Sequence, residues 1–211
     1  MKTIHIVPLG DRCDMILESI RMSGKPIQKA YLIVCDDACL DEIANALKNF
    51  IEVEVVRVEG EIYDASIKIL KIIRREMDEG NDVLINLSDA SRDLCIACII
   101  SAQISGVGIY MESNGKIIDL KVPSVKGVGE DKVALIKALE KKGGEVESIN
   151  KLIEIVEGKI EDQRRYMAQR ARMSYHLKGL EGDGLIEMRK EGKNVRIKLT
   201  PLGRAYAVMF S

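Results

Sequence analysis

The sequence predicts an α/β chain, a mostly parallel sheet flanked by helices and followed by a smaller basic domain of helices and a hairpin. Three observations carry this. Residues 3–122 alternate short, nearly continuous apolar runs with helical segments, the pattern of parallel strands buried on both faces. In residues 171–203 a helix-spaced apolar stripe gives way to two short strands and then to a helix opened by proline. Charge also divides along the chain: residues 1–128 hold 15 Lys/Arg against 20 Asp/Glu, residues 129–211 hold 17 against 13, and residues 163–204 alone hold 11 against 4. The prediction is a Rossmann-like mostly parallel sheet domain over residues 1–122, a linker at 123–129, and a winged helix-turn-helix domain over 130–211.

Residues 3–7 read as the first strand and 11–22 as its helix. The next pairs are 30–34 with 38–50 and 53–58 with 65–77, then 83–87 with an apolar helix at 92–105. Residues 108–112 and 116–122 flank Asn114-Gly115, the favoured two-residue turn, and form an antiparallel hairpin at one edge. Helices at 131–142 and 148–156 follow, with Val133, Ile136 and Leu139, then Ile149, Leu152, Ile153 and Val156 as their apolar stripes. Residues 158–170 are polar, and either extend the next helix backwards or form a long basic loop. Met173, Leu177 and Leu180 recur at helical spacing, and Gly182 and Gly184 are expected to end that helix. Strands at 185–188 and 195–199 enclose a basic turn around Gly192, and Thr200-Pro201 opens the last helix with a cap and a proline at its first position.

Helix, basic hairpin and capped terminal helix are the layout of a winged helix. The chain here resembles bacterial and archaeal winged-helix regulators through Ser174, Leu177, Leu180-Glu181, Gly184-Leu185-Ile186, Leu199-Thr200 and Gly203. On the helix through Met173, Tyr175 and Lys178 point outward with Arg172 and Ser174 on the flanks, set to enter a major groove. Arg189, Lys190, Lys193 and Arg196 on the wing would grip phosphates, and Arg164, Arg165 and Arg170 complete the expected DNA-binding set. The alternative for this basic surface is an ordinary solvated helix face.

In open parallel sheets ligands bind beyond the carboxyl ends of the strands. Two loops there carry suitable groups: Leu9, Gly10, Asp11 and Arg12 after the first strand, and Ser88, Asp89, Ala90, Ser91 and Arg92 after the fourth. Backbone N–H groups at a helix start attract an anion, and arginine adds charge. Plain capping by Ser88 or Ser91 needs no ligand. Neither loop has the glycine triplet of a dinucleotide site.

Cys13, Cys35, Cys39, Cys95 and Cys98 make an odd count behind no secretory signal, so reduced thiols and a cytoplasmic chain are expected. The apolar run at 95–104 is too short and interrupted to span a membrane. Cys95-x-x-Cys98 lacks a second close pair with zinc-like spacing, Cys35 and Cys39 being only a loose candidate, so helix packing is preferred to a metal site. No cofactor and no catalytic residue are expected; His5 lies within a strand.

The loop Asn86-Leu87-Ser88-Asp89-Ala90-Ser91-Arg92 with the apolar helix behind it resembles the CRISPR-associated Rossmann fold, or CARF. Those domains carry Thr/Ser-Gly-Gly-Thr/Ser-Lys/Arg after an apolar strand ending in Asn; here the hydroxyls and the cation are kept, and Asp89 and Ala90 replace the glycines. With the second domain, the whole chain resembles the archaeal CARF–winged-helix transcription regulators. That resemblance implies a homodimer through the Rossmann-like domain, a cyclic oligoadenylate or similar nucleotide on the two-fold axis, and winged helices on double-stranded DNA. The competing class is a CARF-family nuclease, either a HEPN-like ribonuclease or an enzyme that cleaves the cyclic nucleotide itself. Arg170 and His176 match the HEPN spacing of Arg and His, but the wing strands and Thr200-Pro201 fit an all-helical domain poorly.

Overall fold

A computed structural model describes residues 1–120, 129–192 and 194–210. Two compact units lie in sequence on either side of residues 121–128. The first runs β1 (Thr3–Pro8), α1 (Cys13–Ser23), β2 (Lys29–Val34), α2 (Leu40–Lys48), β3 (Glu52–Arg57), α3 (Ile62–Asp78), β4 (Asp82–Asn86), α4 (Arg92–Ser105), β5 (Gly108–Ser113) and β6 (Lys116–Leu120). Its sheet order is β3-β2-β1-β4-β5-β6. All neighbouring strands pair parallel except β5 with β6. Alternation along each strand divides the core. Ile4, Ile6, Tyr31 and Ile33 join α3 and α4 on one face, while Val7, Ala30, Leu32 and Val34 join α1 and α2 on the other. The strand order reverses between β1 and β4, so the loops after those two strands open the crevice where such sheets bind ligands. The hairpin turn falls at Asn114 and Gly115, both with positive φ.

The layer beneath α1 is polar, which strand periodicity alone does not foretell. His5, Ser19, Asn86 and Tyr110 are all buried there. The carbonyl of Pro26, 3.0 Å from His5 Nε2, can only accept, so Nε2 carries the proton. Nδ1 then accepts from the Tyr110 hydroxyl at 2.9 Å. Burial lowers the His5 pKa from its ordinary 6.5 to about 4. Between those values the unfolded chain binds the proton and the folded one does not, so stability falls as pH drops from about 6.5 to 4. The expected loss is at most about 3 kcal/mol for this group. Urea unfolding of the first unit across that range should show it, and His5→Gln should flatten the dependence; an unchanged slope in the variant would assign the loss to other groups.

Cys13 and Cys39 form a disulfide, with their Cα atoms 5.3 Å apart. This corrects the expectation that all five cysteines are reduced thiols. The two residues stand at the starts of α1 and α2, and those helices follow the adjacent parallel strands β1 and β2. The sheet thus brings together two positions 26 residues apart in sequence. Cys35, Cys95 and Cys98 are free; Cys98 is buried in α4.

The second unit runs α5 (Glu130–Glu140), β7 (Glu145–Val146), α6 (Ile149–Glu157), α7 (Gln163–Gly182), β8 (Ile186–Glu191), β9 (Asn194–Leu199) and α8 (Pro201–Phe210). Its antiparallel sheet has the order β7-β9-β8. Ile136, Leu139, Leu152, Ile153, Met173, Leu177 and Leu180 are buried at its centre. Asp162 caps α7 by accepting from Arg165 N at 2.8 Å, so the polar stretch left open by the sequence is mostly helix. Gly182 is the last residue of α7 rather than its cap, and the turn is made at Gly184. Thr200 Oγ1 accepts from Gly203 N at 3.0 Å and donates to the Gly184 carbonyl at 2.7 Å, which ties the start of α8 to the end of α7. Gly129 caps α5; the rest of the linker expected at 123–129 lies outside the described residues. Among the described residues no helix is long and apolar enough to cross a membrane.

Candidate functional site

At the carboxyl edge of the first sheet, the β1–α1 and β4–α4 loops are clasped together. Asp89, almost fully buried, accepts from Arg12 N at 2.6 Å and from Arg12 Nε at 3.4 Å. The loops approach so closely that a Cβ at Gly10 would stand 2.8 Å from the Asp89 carbonyl oxygen. Asn86, at the end of β4, organises the rest. Its Nδ2 donates to Ser19 Oγ of α1 at 2.8 Å, and its Oδ1 accepts from Ser88 N and from Ser88 Oγ. Ser88 Oγ in turn accepts from Glu112 N at 2.9 Å.

Beside this clasp lies a groove of about 690 Å³, within the range of small-molecule sites. Arg12, Met15, Glu18 and Met22 form one wall; Met111, Glu112, Ser113, Asn114 and Gly115 form the other, with Ser88 between them. The structure therefore brings Arg12 and Ser88 of the expected ligand set to one cavity. Leu9 instead packs in the core beneath α1 and α2, and its N–H bonds to the Ile33 carbonyl. Ala90 packs against the other core. Asp11 is exposed; Ser91 caps α4 through its backbone, and Arg92 is the exposed first residue of that helix. The Ser88 hydroxyl proton is directed to Asn86. The α1 and hairpin residues of the groove escape a reading of the sequence. Their signal is the spacing of Met15, Glu18 and Met22 on one face of α1, together with a turn that ends β5 at the carboxyl edge.

In the second unit the expected DNA-binding residues divide into paired and unpaired groups. Arg172 is held by Asp131 of α5, which also lies 3.4 Å from His176 Nε2. Arg196 pairs with Glu145 at 2.8 Å and Glu191 at 3.1 Å, and Arg189 lies 3.6 Å from Glu187. Arg164, Arg165, Arg170 and Lys178 are exposed along α7, and Lys190 on β8; none of these five has an ion pair among the described residues. Tyr175 is 76% exposed, and Ser174 is half-buried. Lys193 lies outside the described residues. The helix continues nearly three turns beyond Met173 toward its N-terminus, with most side chains exposed there. Arg170 and His176 are six residues apart on α7, about 120° around it, and His176 faces Asp131.

Residues 3–115 match the family model described as "HFX_2341_N:-like, N-terminal", and residues 131–211 match the "DUF6293 C-terminal winged helix domain". A chain of Archaeoglobus fulgidus, bearing the name "Uncharacterized protein", is 47% identical over 211 residues and covers 98% of each chain. Among solved structures, protein VC1899 from Vibrio cholerae is 9% identical with a TM-score of 0.47, over 98% of this chain and 65% of that one. Can2 from Sulfobacillus thermosulfidooxidans, in complex with cyclic tetra-adenylate, is 10% identical with a TM-score of 0.43, over 99% and 61%. The chain thus spans less than two thirds of the length of these solved chains. The chain belongs to the HFX_2341_N-like family, whose N-terminal model covers more than half of it, and its residues 131–211 match the DUF6293 winged helix domain.

Proposed function

We propose that this chain is a ligand-responsive DNA-binding transcription regulator and not an enzyme, with an N-terminal domain that senses a cyclic oligoadenylate or similar nucleotide. The observation that carries the DNA-binding reading is the set of exposed, unpaired cations on α7, Arg164, Arg165, Arg170 and Lys178. In a winged helix domain this helix is the one that enters the major groove, and exposed arginines without carboxylate partners are free to displace counterions from phosphate. The ligand class comes from the CARF resemblance of the β4–α4 loop. The clasped loops and the adjoining groove at the switch point of the sheet support it. Dimerisation through the first unit is part of the same reading. Ile96 and Ile99 on the outer face of α4, and Ile118 on β6, are exposed apolar side chains that a second copy would cover. Two copies would present two recognition helices to half-sites about one helical turn, or a multiple, apart. The enzyme reading gains no support from the histidines: both ring nitrogens of His5 are bonded within the core, and His176 faces Asp131.

Fluorescence anisotropy with the full chain on its own promoter DNA tests this. Alanine at Arg164, Arg165, Arg170 or Lys178 should weaken binding, and each lost phosphate contact should reduce the slope of log K against log salt by about 0.9. Lys190→Ala should weaken binding to all sequences alike, whereas Tyr175→Ala should relax sequence preference at about 1–3 kcal/mol. If the variant lacking all four of these unpaired α7 cations keeps wild-type affinity at moderate salt, the basic surface is only a solvated one.

A further inference from the structure

The groove between α1 and the β5–β6 hairpin has a chemistry of its own, and assigning it an occupant rests on the nucleotide-sensing reading. Its walls carry two thioethers on α1, from Met15 and Met22, and two carboxylates, from Glu18 and Glu112, while Met111 borders it from β5 with its side chain packed against the core beneath α3 and α4. Its only cation among the described residues is Arg12, whose guanidinium is turned to Asp89. Glu112 Oε1 accepts from Gly115 N at 2.6 Å and so belongs partly to the turn. Glu18 is exposed and has no partner among the described residues. The Ser88 hydroxyl is occupied on both sides, donating to Asn86 and accepting from Glu112.

A phosphate placed in this groove would meet two carboxylates against one cation, Arg12, which Asp89 already neutralises in part, so the charge balance disfavours it there. The surface suits a flat, polarisable ring that presents N–H donors. Thioethers pack favourably on aromatic rings, and a carboxylate without a partner is a strong acceptor for an amino group. We infer that the groove takes an aminated nucleobase, with Glu18 accepting from its exocyclic amine, while the ligand's phosphates stay outside the groove. In a cyclic oligoadenylate that base is adenine. Glu18 is then a specificity-determining residue: it distinguishes an amino group from a carbonyl at the same ring position, because a carbonyl oxygen facing a carboxylate repels it and leaves it unpaired.

The test is calorimetric binding of cyclic tetra-adenylate and of cyclic tetra-inosinate to the full chain. The two rings share a backbone and differ at the exocyclic group and at N1, which carries a proton only in the inosinate. The wild type should prefer the adenylate by at least about tenfold, and Glu18→Ala should bring the two affinities to within about twofold by weakening the adenylate. Since Glu18 is exposed and unpaired, the variant should unfold at the wild-type temperature. Equal affinity of the wild type for both rings, or a preference that Glu18→Ala retains, overturns the assignment of this groove and leaves the sensing reading standing. If the wild type binds neither ring, both fall.

Discussion

Gly203→Ala is expected to destabilise the winged helix domain by about 3 kcal/mol or more while residues 1–120 keep their stability. Gly203 lies in the first turn of α8, which packs directly on the segment after α7. A Cβ at this position would stand 2.0 Å from the carbonyl oxygen of Leu185 and 3.0 Å from its carbonyl carbon. Both partners are backbone, so no side chain can swing aside. The carbonyl is also committed, since it accepts from Thr200 N at 3.0 Å. Relieving the clash would pull α8 from the Thr200 cap and from the strand pair, and would uncover Ala205, Tyr206 and Ala207, all buried. Overpacking of this kind costs about 3 kcal/mol or more where nothing can relax. A domain of this size has only about 4–12 kcal/mol of stability. Hydrogen exchange on the full-length variant should show protection lowered about a hundredfold across the helices of the second unit and kept in the first sheet. Wild-type protection in α5–α8 would mean that the backbone accommodates the methyl group. The same contact explains why a glycine belongs three positions after Thr200 in this layout.

The α/β layer pattern, the order of its elements and the Asn114-Gly115 turn are legible in the sequence, because each comes from local periodicity or a turn that few residues can make. The apolar run of α4 predicts the bounds the structure gives, Arg92–Ser105. What escapes is what depends on contacts between distant segments. Ser88 lies in a loop whose composition resembles an anion site; in the folded chain its hydroxyl donates to Asn86, itself clamped on Ser19 some 67 residues earlier. In the sequence Asp89 shows only as a replacement for a glycine of the CARF loop. In the folded chain it is nearly buried and turned to Arg12, so it closes the loops on each other. Arg172 is a similar case: helical periodicity places it on the flank of α7, but only the packing of α5 reveals Asp131 opposite it. The N-terminal half of α7 is undecidable for a different reason. It buries almost nothing, so it carries no apolar stripe to read, and its start is fixed by the Asp162 cap.

Reducing the Cys13–Cys39 disulfide is expected to destabilise the first unit by about 3.5 kcal/mol. The bridge closes a 26-residue separation that holds α1, β2 and the start of α2. In the chain-entropy account, a link across a loop of this length removes about 12 cal/mol/K from the unfolded ensemble. The effect reaches the candidate site by position. Cys13 directly follows Arg12, whose backbone N–H and guanidinium both meet Asp89, so the bridge anchors one side of the loop clasp to α2. Urea denaturation of the oxidised protein, of the protein in a dithiol reductant and of the Cys13→Ser/Cys39→Ser variant should place the latter two together and well below the first. The signal should be followed in the first unit, for example by the burial of Tyr31 and Tyr110. A thiol titration of the unfolded, unreduced chain gives the independent check: three reactive thiols, those of Cys35, Cys95 and Cys98, are expected. Five would show that the bridge does not form, and three with unchanged stability on reduction would show that it contributes nothing to the fold.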